Sequence, residues 1–327
     1  MDEKTIREQV AETGRLLLES RLVARTWGNF SARLDGERFA ITPSGLGYER
    51  MGPADVVCCS LADGSFEGSR RPSSEKGIHA AAYRRFPEVG FVIHTHQPYA
   101  TALGLGPPET LRLNAEESAA LGGLAWADYG LPGTKKLKNA VAAALENGAH
   151  TVLMKHHGAL VCGADRDEAL RRAALLEEVC RRACRCGEPA PAPRDGAELL
   201  ARVRERFPTA ELEDGEAARA WSALGLPLRT QLDDAAQMIG ARIPCARDER
   251  ALAALLAGHA AVFLPGLGAL VRGEDADDSA ALRLLTDKAA LAALHTRALG
   301  VTAALSLFDC LLMRQVYRLK YAKKKKG

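Results

Sequence analysis

A chain of 327 residues, 47% hydrophobic and 26% charged, is long enough for two domains and apolar enough to bury a core. Only 5% of its residues are aromatic, and its net charge of +3 includes the Lys323 to Lys326 run, so the body is nearly neutral. That excludes the aromatic stacking platform and the focused basic face of a nucleic-acid reader. No apolar run reaches the roughly 18 residues of a membrane helix. The opening Met1-Asp2-Glu3-Lys4 leads into an amphipathic pattern rather than a signal peptide. Eight cysteines without an export signal read as reduced thiols in the cytoplasm.

In chain order, residues 2–22 carry Ile6, Val10, Leu17 and Leu18 at near-helical spacing and predict a helix. In TWGNFSARL, Gly28-Asn29 predicts a turn. Residues 39–42 and 56–60 predict short strands, the first followed by the Pro43-Ser44-Gly45 loop and the second closed by a turn at Ala62-Asp63-Gly64. A helix is expected over 75–86, with Ser73 or Ser74 as its N-cap. A strand follows over 90–95, and Gln97 begins another helix. Residues 134–146 predict a helix stopped by Asn147-Gly148. Residues 151–154 and 159–162 predict strands, and Asp165 starts a long helix to about Cys186. Helices mixed with short strands give an α/β or α+β class. Cys180, Cys184 and Cys186 cluster at the end of that helix without a second cysteine pair nearby, which reads as helix packing, with a metal role as the alternative.

Residues 187–196, GEPAPAPRDG, lack apolar periodicity and carry three prolines, the mark of a semi-rigid linker. The expected organisation is a catalytic domain over 1–187, a linker over 188–197, a second domain over 198–322 and a lysine-rich tail over 323–327. The tail reads as a solvated end, with an anionic partner as the alternative. The second domain is a weak repeat. VLMKHHGALVCGADRDEAL, from Val152, aligns with VFLPGLGALVRGEDADDSA, from Val262, at a constant offset of 110. Gly266 and Leu267 stand where the first copy has His156 and His157, so the packing residues recur and the polar ones do not.

The chemistry concentrates in the first domain. His94-Thr95-His96 ends a predicted strand, and alternation puts both imidazoles on one face, within reach of a single zinc ion. His156-His157 supplies two candidates for a third ligand; His157 is favoured because Gly158 after it permits close backbone approach. Three neutral ligands leave a position open, the catalytic form of a zinc site. Glu75 sits at a helix start, where the dipole favours a carboxylate. The same end, with Ser73 and Ser74, makes an anion pocket, unless Ser-Ser-Glu is merely a cap. Gly28-Asn29 and Ser44-Gly45 lie in two further Gly-bearing loops of the kind a phosphate cradle needs.

Together TWGNFSAR, ITPSG, PSSEKGIHAAAYRRFPEVGFVIHTHQPYATAL and HHGALVCG resemble the class II aldolase/adducin family, nearest to its L-fuculose-phosphate aldolase branch. The resemblance covers roughly residues 5–185. His94 follows Glu75 by 19 residues and His157 follows His94 by 63, as in that pattern. It implies α/β/α layers around a mostly antiparallel sheet, with a smaller partial repeat behind, and a cytoplasmic homotetramer. It further implies one Zn2+ per chain held by His94, His96 and His157, with Glu75 near the metal as the proton-moving group. Gly28, Asn29, Ser44, Gly45, Ser73 and Ser74 would bind the phosphate of a small phosphorylated sugar. The implied reaction is aldol cleavage of a ketose 1-phosphate such as fuculose 1-phosphate. Decarboxylation, epimerisation or dehydration at the same metal site is the alternative, and a non-catalytic adducin-like binding protein the second. One departure stands out: Asn114 occupies the place of the branch's tyrosine acid. Glu116, Glu117, Tyr129 or a residue of the C-terminal half could replace it.

Overall fold

The computed structural model describes residues 2–187 and 189–320; the lysine-rich tail lies outside them. The chain forms two compact units, Met1–Ala183 and Cys184–Gly327.

The first unit begins with α1 (Glu3–Glu19), capped by Asp2, whose carboxylate accepts from the Thr5 amide at 2.8 Å. Three strands follow, β1 (Gly28–Arg33), β2 (Arg38–Ile41) and β3 (Val57–Ser60), then α2 (Lys76–Arg85), β4 (Phe91–Thr95), α3 (Pro98–Leu103), α4 (Ala115–Ala120), β5 (Leu124–Ala127), α5 (Lys135–Leu145), β6 (Thr151–Met154), β7 (Gly158–Gly163) and α6 (Arg166–Ala183). The seven strands form one sheet in the order β3-β2-β1-β4-β7-β6-β5. Only β5 and β6 run parallel, so this is the mostly antiparallel α/β class. The two-residue period sorts each strand. Phe39, Ile41, Val57, Val92, Val152, Met154 and Leu160 pack beneath α2 and α5. Phe30, Ala32, Ala40, Phe91 and Ile93 face α1 and α6.

Two local expectations are corrected. Gly28 and Asn29 open β1 instead of forming a turn: the reversal comes earlier, closed by the Ala24↔Trp27 bridge, and Gly28 pairs with Thr95. Gly28 has φ +119, and a Cβ there would meet the His94 carbonyl oxygen at 2.6 Å, so only glycine fits. The long helix α6 stops at Ala183, short of Cys186. The four-residue β5 and six-residue α4 carry too little periodicity to be predicted.

The second unit contains α7 (Ala197–Arg206), β8 (Ala210–Glu213), α8 (Glu216–Ala223), β9 (Leu228–Arg229), α9 (Asp233–Met238), β10 (Arg242–Ile243), α10 (Glu249–Gly258), β11 (Ala261–Leu264), β12 (Gly268–Arg272), α11 (Ala276–Ala298) and α12 (Leu307–Lys320). The β6–β7 hairpin pairs Thr151 with Val161 and Met154 with Gly158; the β11–β12 hairpin pairs Ala261 with Val271 and Leu264 with Gly268, the same register 110 residues on. Strand β8 lies against β12 as β4 lies against β7. Glu177 of α6 accepts the Ala100 amide at the start of α3; Asp287 of α11 accepts the Ala218 amide at the start of α8, each at 2.9 Å. Residues 189–196, ahead of α7, form neither helix nor strand.

Candidate metal centre

Three parts of the chain deliver four side chains to one place: the end of β4, the β6–β7 turn and the start of α2. On β4, alternation turns Val92 into the apolar layer and His94 into the next place along it, fully buried. His96 follows one residue beyond the strand end. His157 comes from the β6–β7 turn, closed by its own amide donating to the Met154 carbonyl at 3.0 Å. That turn forces His156 to φ +67, whereas the second unit places Gly266 at φ +73 in the matching turn. Gly158 lets β7 press against β4, because a Cβ there would lie inside 3.0 Å of the Thr95 carbonyl oxygen.

Glu75 is itself the N-cap of α2, and its side chain makes no capping hydrogen bond; neither Ser73 nor Ser74 caps the helix. Ser73 instead accepts the Glu75 amide through Oγ at 3.2 Å and the Lys76 amide through its carbonyl at 3.2 Å. The Glu75 and Lys76 amides are satisfied by this turn, and the Glu75 carboxylate is left to point at the imidazoles.

Glu75 Oε1 lies 2.9 Å from His157 Nε2 and Oε2 lies 3.2 Å from His94 Nε2. His94 Nε2 and His96 Nε2 are 3.1 Å apart. One ligand atom from each of Glu75, His94, His96 and His157 falls within 4.8 Å of all the others. His94 Nδ1 is 2.8 Å from the Ala159 carbonyl oxygen. A carbonyl can only accept, so Nδ1 carries a hydrogen and Nε2 is the nitrogen turned to the cluster. Glu75 Oε1 is buried and faces His157 Nε2. Three imidazole nitrogens converging on a buried carboxylate are the pattern a divalent cation satisfies, so this donor set fits such an ion. Burial pushes the Glu75 carboxyl up, but the neighbouring His157 and His94 outweigh it and hold it well below the usual carboxylate range. Glu75 is therefore ionised at neutral pH.

The loops proposed to bind phosphate lie side by side: Pro43 bridges Pro72, the Ser44 amide donates to the Arg71 carbonyl at 2.9 Å, and the Ser73 amide donates to the Thr42 carbonyl at 3.0 Å. Gly45 takes φ +75. Asn29 is tied to the carboxylate, its Nδ2 donating to Glu75 Oε2 at 2.9 Å. Asn114 caps α4, its side chain accepting the Glu117 amide, and Glu117 in turn pairs with Arg182. Tyr129 packs edge-on against His156, ring centres 5.0 Å apart. A buried group that sequence reading missed is His79, whose Nε2 is 2.6 Å from Asn29 Oδ1. A polar residue four positions after Glu75, on the buried face of α2, was the available signal.

In the second unit Gly196 caps α7 at φ −109, ψ 7, close to the φ −100, ψ 10 of Glu75 at α2. A Cβ on Gly196 would meet Leu212 at 2.8 Å and Leu267 at 3.2 Å. These leucines hold the places of His94 and His157.

A largely buried cluster of three imidazoles and a carboxylate, set at the strand ends of a layered α/β unit, is a donor set that could hold a metal ion. Residues 8–184 match the Class II Aldolase and Adducin N-terminal domain, and the chain belongs to that family. It is 33% identical over 208 residues to the 5-methylthioribulose-1-phosphate/5-deoxyribulose-1-phosphate aldolase of Rhodospirillum rubrum, covering 62% of this chain and 91% of that one. Among solved structures, an L-fuculose 1-phosphate aldolase is 29% identical, with 62% of this chain and 97% of the other aligned at a TM-score of 0.51. YgbL of Klebsiella pneumoniae shares the fold at 24% identity and a TM-score of 0.52, over 56% of this chain and 89% of its own. The chain is thus an enzyme of the class II aldolase type.

Proposed function

We propose that this enzyme cleaves a 2-ketose 1-phosphate between C3 and C4, giving dihydroxyacetone phosphate and an aldehyde, with one zinc ion at His94, His96 and His157. The observation that carries this is the convergence of these imidazoles with Glu75 inside 4.8 Å. The relatives' substrates sharpen the class: 5-methylthioribulose, 5-deoxyribulose and fuculose 1-phosphates all end in a methyl or methylthio group away from the phosphate. We infer a substrate phosphorylated at one end and apolar at the other.

The ion, when bound, polarises the ketose oxygens as a Lewis acid. Glu75 Oε1 gives C3 its proton as cleavage completes, and removes it in the reverse condensation. The phosphate rests on Gly28, Asn29, Ser44, Gly45, Ser73 and Ser74, with the second Nδ2 hydrogen of Asn29 serving it; anchoring that end fixes C3 beside the carboxylate. Tyr129, against His156, is the candidate to handle the C4 hydroxyl proton, since Asn114 and Glu117 are committed to the α4 cap. The second unit is a degenerate copy of the rear half of the fold, from α2 to α6, with its metal place filled by Gly196, Leu212 and Leu267. All eight cysteines are free thiols, which supports a cytoplasmic location, and the family resemblance supports a homotetramer.

Zinc-loaded protein incubated with each of the three ketose 1-phosphates tests this, with dihydroxyacetone phosphate detected enzymatically. Release of dihydroxyacetone phosphate from at least one is expected. A C4 epimer or a dehydrated sugar phosphate as the only product would replace the aldolase reading with another reaction at the same site.

A further inference from the structure

Glu75 Oε2 ends a buried chain of polar side chains: Tyr83 OH to Ser31 Oγ at 2.8 Å, Ser31 Oγ to His79 Nδ1 at 2.7 Å, His79 Nε2 to Asn29 Oδ1 at 2.6 Å, and Asn29 Nδ2 to Glu75 Oε2 at 2.9 Å. Ser31 and Asn29 are two apart on β1, so both face α2, and His79 and Tyr83 are one turn apart on α2. The direction of every bond follows from the carboxylate. An ionised carboxylate only accepts, so Asn29 turns its NH2 to Glu75 and its oxygen to His79. That oxygen also only accepts, so His79 carries its hydrogen on Nε2. A neutral imidazole then accepts at Nδ1, Ser31 donates there, and Tyr83 donates to Ser31. Both partners of His79 are neutral, the ring is fully buried, and burial holds its pKa at about 3, which keeps it uncharged.

We propose that His79 is a positioning residue: through Asn29 it pins Glu75 Oε2 and leaves Oε1, which faces His157 Nε2 at the cluster, as the oxygen that exchanges a proton with substrate. The chain cannot itself carry protons, because the Asn29 amide interrupts it. Its output is orientation. The second unit bears this out by contrast. Aligned on the caps of α2 and α7, Gly196 replaces Glu75 and Leu200 replaces His79, so the imidazole is missing from the unit that has no carboxylate to orient.

This inference rests on Glu75 as the proton-moving group, and two measurements keep the two readings apart. Histidine-labelled protein, with and without zinc, reports the His79 tautomer by 15N chemical shifts and needs no substrate. The expected spectrum shows hydrogen on Nε2 alone; hydrogen on Nδ1, or on both nitrogens near pH 7, overturns the proposal. In kinetics on the best ketose 1-phosphate, His79→Gln, whose amide nitrogen overlays Nε2, is expected within about threefold of wild-type kcat. His79→Asn, whose amide overlays Nδ1, is expected to lose about 10- to 100-fold in kcat, with KM and zinc content near wild type. Equal kcat for the two variants, or a loss confined to KM, overturns it. Full activity in Glu75→Gln with the Nε2–H tautomer intact would instead remove the acid/base reading.

Discussion

Substituting Gly158 with alanine tests how the sheet assembles the site. A Cβ at Gly158 would fall inside 3.0 Å of the Thr95 carbonyl oxygen, with His96 Cα only 3.2 Å away; both belong to the strand end that carries His94 and His96. Neither neighbour is a flexible side-chain tip, so restoring a separation of about 3.5 Å requires β4 and β7 to part by about 1.4 Å. His157 moves with β7 while His94 and His96 stay with β4. Zinc–nitrogen bonds of about 2.0–2.1 Å do not tolerate such a displacement. The overpacking should cost about 1–3 kcal/mol, and zinc affinity should drop by about 10²-fold or more, at least that of an outer-shell loss. Gly268→Ala supplies the control: its Cβ would strike the Glu213 carbonyl oxygen at the matching place, with φ +115 adding strain. It should destabilise similarly without touching zinc affinity. Calorimetry with and without zinc, together with chelator competition, reads both quantities. Wild-type zinc affinity in Gly158→Ala, or an equal loss in Gly268→Ala, would refute the reasoning.

Glu75→Gln should keep its zinc but turn over about 10²- to 10⁴-fold more slowly, the range for a lost general acid/base; an unchanged kcat would take Glu75 out of the mechanism. Tyr129→Phe should lower kcat by about 10²-fold at constant zinc content, and wild-type kcat would clear it of any proton transfer. Acid should weaken the metal-free protein through His79. Its pKa falls from 6.5 to about 3 on folding, so the unfolded chain takes up the proton first. The associated stability is complete above pH 6.5 and is lost as pH falls towards 3, amounting to about 2 kcal/mol by pH 5. Urea unfolding at pH 7 and pH 5 should show a loss larger by about 2 kcal/mol in the wild type than in His79→Gln; identical losses would contradict it.

The His-x-His pair, the third imidazole and Glu75 were legible because each chemistry-bearing residue sits beside a local signal: a strand end, a glycine after a turn, a serine-rich helix start. The His79 chain was not. Its members are spread over β1 and α2, and only the pairing of β1 with β4, opposite Asn29 and His94, brings α2 down onto them. The turn expected at Gly28-Asn29 failed for a related reason. Glycine there answers a close approach by the His94 carbonyl rather than a chain reversal, and that approach is tertiary. Likewise Ser73 and Ser74 carry an N-cap signature, yet the backbone turn consumes Ser73 and moves the cap to Glu75. The 110-residue repeat was visible in sequence because hairpin packing preserves Gly-Ala-Leu-Val; the matching of Gly196, Leu212 and Leu267 to the metal cluster needed coordinates.

The most direct test of the account is metal analysis with X-ray absorption on purified wild-type protein and on His96→Ala. About one zinc per wild-type chain is expected, bound by three imidazole nitrogens at about 2.0–2.1 Å, with most of the zinc lost from His96→Ala. Fewer than three nitrogen ligands in the wild type, or full zinc occupancy in His96→Ala, would contradict it.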